Sequence, residues 1–244
     1  MDSEYTLMDE RALLRNLYMQ CRNGGIRVDP KVAAVAIRAI GDYSGVRAVY
    51  ILEITNAMVE YMRGYAGMVA SRNIFKKAMV TAFADAFETG YMETAGGDTY
   101  EPEREDTDYL AAKMDAEIGY INSLFFSLKE IVEGASIEEP VTDQDIVAEA
   151  DNRAAMFART LDGVYGQGKL RGKKNIMLKF DGPDGNESCT TCKKLKAGPA
   201  HRAKWWVAHD LIPTPGNEQF ECGCYRCEHQ LFDKDGQVWA GNLE

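Results

Sequence analysis

Asn186-Glu187-Ser188-Cys189-Thr190-Thr191-Cys192 and, about thirty residues on, Glu221-Cys222-Gly223-Cys224-Tyr225-Arg226-Cys227-Glu228-His229-Gln230-Leu231 carry five of the chain's six cysteines. Two thiols at Cys-x-x-Cys spacing sit on one tight turn, so both sulfurs can reach a single tetrahedral ion without straining the backbone. The second cluster completes the set from Cys222, Cys224, Cys227 and His229. Zinc prefers such soft sulfur and nitrogen donors, and structural sites close all four positions. The spacing therefore predicts a small C-terminal module stapled by structural Zn2+, with Cys189 and Cys192 as one half of the site. Cys224-Tyr225-Arg226-Cys227 repeats the first spacing, which leaves the second half open among its four candidates.

Upstream, the pattern is helix after helix. Apolar residues recur at helical spacing over Ala12–Cys21, and Asp29-Pro30 opens a second segment through Ile40. Ser44 is a candidate cap for a helix to Met62, although Val49, Ile51, Ile54 and Thr55 are β-branched and leave a strand open over part of it. Ser71 opens a segment with a broad apolar face (Phe75, Ala78, Met79, Ala82, Phe83, Phe87) that stops at Gly96-Gly97. Asp98–Asp108 is dense in acid, carries Pro102 and reads as an exposed, solvated loop. A long helix follows from Thr107 to Glu133. Thr142-Asp143-Gln144-Asp145 matches a capping box with Asp in the usual Glu position, and its helix is expected to reach about Tyr165.

Gly166, Gly168 and Gly172 break that pattern. Ile176–Phe180 is the best strand in the chain, Asp181–Gly185 is a turn, and the cysteine region follows. A short helix is expected near Lys204–His209 and an edge strand near Gln237–Ala240. The fold class is mainly α: a multi-helix N-terminal body, residues 1–172, followed by a small α+β zinc-knuckle module, residues 173–244. Met58, Met62, Phe83, Phe87, Phe125 and Phe126 belong to apolar faces broad enough to offer partners a docking surface.

Composition narrows the function classes. The formal net charge is −10, against a protein whose whole surface grips nucleic acid or anionic membrane. No apolar run is long enough to span a bilayer. The acidic start Met1-Asp2-Ser3-Glu4 lacks a basic, then apolar, leader, so assembly in cytoplasm with reduced thiols is the expectation, which favours metal over disulfides. Cys21, alone in a helical pattern, reads as a core residue. Charge is uneven: residues 1–151 hold 14 Lys and Arg against 27 Asp and Glu, whereas residues 152–204 hold 12 against 4. That basic segment makes DNA a candidate partner, and a nucleic-acid-binding zinc-ribbon protein is the alternative reading.

Catalysis has little to stand on. A redox Cys-x-x-Cys needs a strand before it and a helix behind; here a turn precedes it and three more cysteines follow. His201, His209 and Asp210 are the groups a catalytic metal would use, but the His-Glu-x-x-His arrangement is missing, as are a nucleophile elbow, a phosphate loop and a dinucleotide loop. Trp205-Trp206 reads as core beside the knuckle.

The order of these motifs resembles the phage minor head proteins, also called head morphogenesis proteins. Tyr165-Gly166 ends the long helix and Ile176–Phe180 is the strand. Gly182-Pro183 turns into Cys189-x-x-Cys192, and Trp205, Trp206, Leu211 and Pro213 fill the loop. Cys222-Gly223-Cys224-Tyr225-Arg226-Cys227-Glu228-His229-Gln230-Leu231 closes it. Cys224 stands where a small residue is usual, and His229 where a final Cys is. The resemblance covers 152–231 well, is loose over 71–133 and is not detectable before that. It implies the tetrad Cys189, Cys192, Cys222 and Cys227, with Cys224 or His229 as substitutes. It also implies a virion component of the capsid interior, made in host cytoplasm, joining portal and capsid proteins during head assembly, with no catalysis and no membrane.

Overall fold

The computed structural model describes residues 42–96, 99–134, 140–182, 188–215, 217–223 and 228–241. The two helices expected before residue 42, and Cys21, lie outside them. The body consists of α1 (Tyr43–Met62), α2 (Met68–Ala95), α3 (Arg104–Gly134) and α4 (Asp143–Gly172). The C-terminal part consists of β1 (Met177–Asp181), α5 (Thr190–Ala197), β2 (His201–Arg202), α6 (Ala203–Ala208), β3 (Gln230–Phe232) and β4 (Val238–Gly241). The chain is thus mainly helical with one small antiparallel sheet, strand order β2-β1-β3-β4.

Local chemistry explains most helix ends. Asp42, not Ser44, caps α1, its carboxylate accepting the Gly45 N–H at 3.0 Å. The β-branched stretch is helical throughout because Val49, Tyr50, Ile54, Ala57 and Met58 are all buried along one side, and burial outweighs a weak propensity. α2 starts at Met68, so Ser71 is a buried helical residue and not a cap. It ends at Gly96, whose φ of 68° is the left-handed closing turn that glycine supplies. The capping box at Thr142 is present with Asp145 as the reciprocal partner.

The acidic loop is the first departure. α3 begins at Arg104, inside that stretch, and Asp106 is buried at 2 % exposure. Its carboxylate accepts the Glu103 N–H at 3.1 Å and faces Arg171 at 3.3 Å. Arg171 also meets Glu105 at 2.7 Å. These acids clamp the start of α3 to the end of α4.

The second departure is larger. α4 does not stop near Tyr165 but runs to Gly172, and residues 160–170 are buried without interruption. Its glycines act as close-packing sites. A Cβ on Gly168 would overlap the Phe87 carbonyl oxygen of α2, and one on Gly90 of α2 would overlap the Tyr165 carbonyl of α4. The two helices cross with backbones nearly in contact, which only paired glycines permit. Two residues earlier, on the opposite side of α4, a Cβ on Gly166 would lie 2.8 Å from Ala240 Cβ of β4. A helix propensity cost of about 1 kcal/mol per glycine is offset by tertiary packing on both sides.

Two apolar cores result. One joins α1, α2, α3 and the first part of α4, around Phe75, Phe83, Phe87 and Phe125. The other joins Leu170 at the end of α4 with Leu178, Phe180, Cys192, Trp206, Phe220 and Leu231. Met58, Met62, Phe83, Phe87 and Phe125 are interior, at 0–5 % exposure, and of that group only Phe126 is exposed, at 57 %. The helix faces close on one another to a greater extent than their breadth suggested.

Candidate metal centre

α5 supplies the first half of the site. Cys189 is its N-cap, and its sulfur accepts the Cys192 N–H at 3.4 Å. One helical turn brings the Cys192 sulfur back to 3.4 Å from that of Cys189. Capping by a thiol in place of a hydroxyl is what the Cys-x-x-Cys spacing does at a helix start: one side chain points back over the turn and the other falls beneath it. Cys192 is fully buried in the second core, while Cys189 is half-buried.

The second half comes from the 210–223 loop. Asn217 organises it. Its amide donates to the Asp210 and Ile212 carbonyls at 2.8 and 2.9 Å, and its oxygen accepts the Gln219 N–H at 2.9 Å. Phe220 then enters the core against Phe180, ring centroids 6.1 Å apart. Gly223, at φ 60°, donates to the Phe220 carbonyl at 2.7 Å and turns the chain back. Between them, Glu221 accepts the Thr190 N–H at 3.0 Å, tying the loop to the first turn of α5. Cys222 is thereby delivered to Cys189 and Cys192, all three sulfurs lying within 4.8 Å of one another.

These spacings suit a metal. Zn–S bonds of about 2.3 Å in a tetrahedron put sulfurs about 3.8 Å apart, within the range the three thiols span, whereas a disulfide needs about 2.05 Å. Burial pushes the Cys189 thiol up, but the N–H groups of Cys192 and Cys222 and both neighbouring thiols donate to its sulfur and bring the net direction down. A thiol that deprotonates more readily is a better ligand. Three nearby cysteines, Cys189, Cys192 and Cys222, can therefore hold a metal ion.

Of the other candidates, Cys224 and Cys227 lie outside the described residues. His229 is described and is not among the gathered side chains. It is 4 % exposed, its ring stacked on Phe180 at 4.9 Å. It is a core residue beneath Gly182. Trp206 is core as expected, its indole N–H within reach of the Leu178 and His201 carbonyls. Trp205 is sandwiched between His201 at 3.7 Å and His209 at 4.3 Å. Among the described residues, neither histidine nor Asp210 joins a metal-type cluster, and no helix is long and apolar enough to cross a membrane.

Sequence reasoning missed Glu221 and Asn217, which carry the geometry. Neither has a spacing signal; an Asn three residues before Phe220 is legible only once the loop's fold is known. Compared with protein-family models, curated proteins and solved structures, the chain matches none.

Proposed function

We propose that this chain is a structural assembly protein of the phage minor head type, working by docking near the portal inside the capsid. In this reading its C-terminal module is held by one structural Zn2+ on Cys189, Cys192, Cys222 and either Cys227 or Cys224. The observation that carries it is the return of Cys222 onto Cys189 and Cys192, which joins the two halves of the motif on which the resemblance rests. The element order is in keeping with it from β1 onward: one strand, Cys-x-x-Cys at the start of α5, and a Trp- and Pro-containing loop that brings Cys222 back, whereas the long helix runs past Tyr165-Gly166 to Gly172.

The metal's part here is to fix the fold, and the reading assigns it no reaction. Cys189 and Cys192 anchor α5, Cys222 anchors the loop, and the ion replaces the larger apolar core that so small a module lacks. Partner contacts fall to the body, where Tyr65, Val69, Ile74, Val80, Tyr120, Phe126 and Met156 are exposed at 45–79 %. Co-expression with the portal and capsid proteins of the same genome tests the reading. The full chain should co-purify with one of them, and Ile74→Asp or Phe126→Asp should weaken that capture. If the correctly folded chain captures neither protein, the assignment fails.

A further inference from the structure

Ten of the twelve cations in the basic segment 153–204 fall into two sets once the chain is folded, Arg159 and Lys173, which lies over the Trp239 ring, being the other two. Arg153, Lys169, Arg171, Lys174 and Lys196 each meet a carboxylate: Glu149, Glu93, Glu105, Glu103 and Asp181 respectively. Lys179, Lys193, Lys194, Arg202 and Lys204 are exposed, and none forms an ion pair among the described residues. In a chain of net charge −10, these unpaired cations all belong to the C-terminal part.

Two of them share one sheet face, and a third follows at its edge. In the sheet register Arg202 lies opposite Met177, and Lys179 opposite Phe232. Residues directly opposite in an antiparallel pair share a face, with Cβ atoms about 4.5–5.5 Å apart, and Met177 and Lys179, two apart on β1, share it as well. This is the outer face. β1 alternates exposed and buried, with Leu178 and Phe180 turned to the core, and Met177 is 48 % exposed. Lys204 follows at the same edge, its N–H on the Lys174 carbonyl at 3.0 Å. The acid on this face, Asp181, is taken by Lys196 at 3.2 Å.

We propose that this open sheet face binds single-stranded nucleic acid, independently of the assembly role above. Lys179, Arg202 and Lys204 neutralise phosphates, and Phe232, with Met177 across β1, offers an apolar surface to an unstacked base. Charge complementarity argues for a polyanion. The half-buried aromatic among the cations argues for exposed bases, because sheet faces that read single strands combine these two features, whereas a duplex would use the cations alone.

The test is fluorescence anisotropy of a labelled oligo-dT with the full-length protein in a salt series. Three phosphate contacts at about 0.7 each give a log–log salt slope near −2, with micromolar affinity at about 50 mM salt. Lys179→Glu with Arg202→Glu should weaken binding at least tenfold and flatten the slope. Phe232→Leu should weaken it about tenfold at unchanged slope, Phe232→Tyr should restore it, and the ion-paired Arg153→Gln should leave it unaltered. Circular dichroism and metal content establish that each variant is folded. Absence of binding at low salt overturns the proposal. So does duplex binding of equal strength that Phe232→Leu does not alter, which would mean a phosphate-only surface. Competition by polyglutamate as effective as by oligonucleotide would identify an acidic polypeptide as the occupant instead.

Discussion

At the scale of single residues, two side chains make opposite predictions about the metal. Cys222 shares a site with Cys189 and Cys192, whereas His229 is stacked on Phe180. Cys222→Ser should therefore lose bound zinc, and His229→Gln should keep one zinc per chain while costing roughly 1–2 kcal/mol of stability from the lost packing. Metal analysis of the two purified variants decides it; zinc retained by Cys222→Ser and lost from His229→Gln would reverse the assignment. Spacing alone could not separate these residues, since any of four groups in 222–229 can reach a tetrahedron on paper. What separates them is the Glu221–Thr190 tie and the turn at Gly223, neither of which leaves a pattern in the sequence. Glu117 makes a prediction of another kind. It is 4 % exposed, and burial raises its carboxyl above the ordinary value against the pull of Lys113 and Thr160. A raised folded value means the native state holds the proton more tightly than the unfolded chain. The contribution is then fully present below the unfolded pKa and is lost as pH rises through the folded one. Glu117→Gln should flatten this segment of the stability curve, read as the difference in urea midpoint between about pH 4 and pH 7 relative to the parent. An unchanged pH profile would mean that Glu117 titrates normally.

Among the elements, α4 holds the most information that the sequence concealed. Its start was legible, because Thr142 and Asp145 form a reciprocal cap whose chemistry depends only on spacing. Its end was not, because glycine reads locally as a breaker. Gly168 and Gly90 instead let α2 and α4 cross at backbone contact, a relation between residues 78 positions apart that no local window contains. Gly168→Ala should consequently destabilise by about 2–3 kcal/mol, as overpacking does. Gly119→Ala on the exposed side of α3, where a Cβ meets nothing within 4 Å, should stabilise by up to about 1 kcal/mol. Urea unfolding of both variants checks the pair, and the contrast in sign matters more than either magnitude. If both alanines stabilise, the α2–α4 crossing is looser than described. The sheet divides the same way. β1 announced itself through the apolar run Ile176-Met177-Leu178-Lys179-Phe180 and was expected one residue early, whereas the three-residue β3 lies at the end of the cysteine-rich stretch and exists only through its pairing with β1 and β4.

For the whole molecule, the division drawn at residue 172, where glycines break the helical pattern, falls at the end of α4 but not at a break in packing. Leu170 belongs to the second core, Gly166 packs on Ala240, and Lys169 is buried between Glu93 of α2 and the Trp239 ring of β4. Lys113 of α3 adds a tie, donating to the Pro215 carbonyl at 3.1 Å. The last turns of α4 are thus common to both cores, and metal removal should act through them. A structural zinc supplies on the order of 10 kcal/mol of folding free energy, more than a core of this size can replace. Chelation should unfold β1, β3, α5 and α6 and also loosen residues 166–172, while α1, α2 and the rest of α4 stay folded around Phe75, Phe83 and Phe87. Hydrogen exchange with and without chelator resolves this residue by residue. Protection should fall to near zero over 177–181 and 230–232, fall in part over 166–172, and persist over 75–87. Loss of protection everywhere in one step would mean that the two cores unfold as a single unit. Full protection of 166–172 after chelation would mean that α4 takes no stability from the module packed against it.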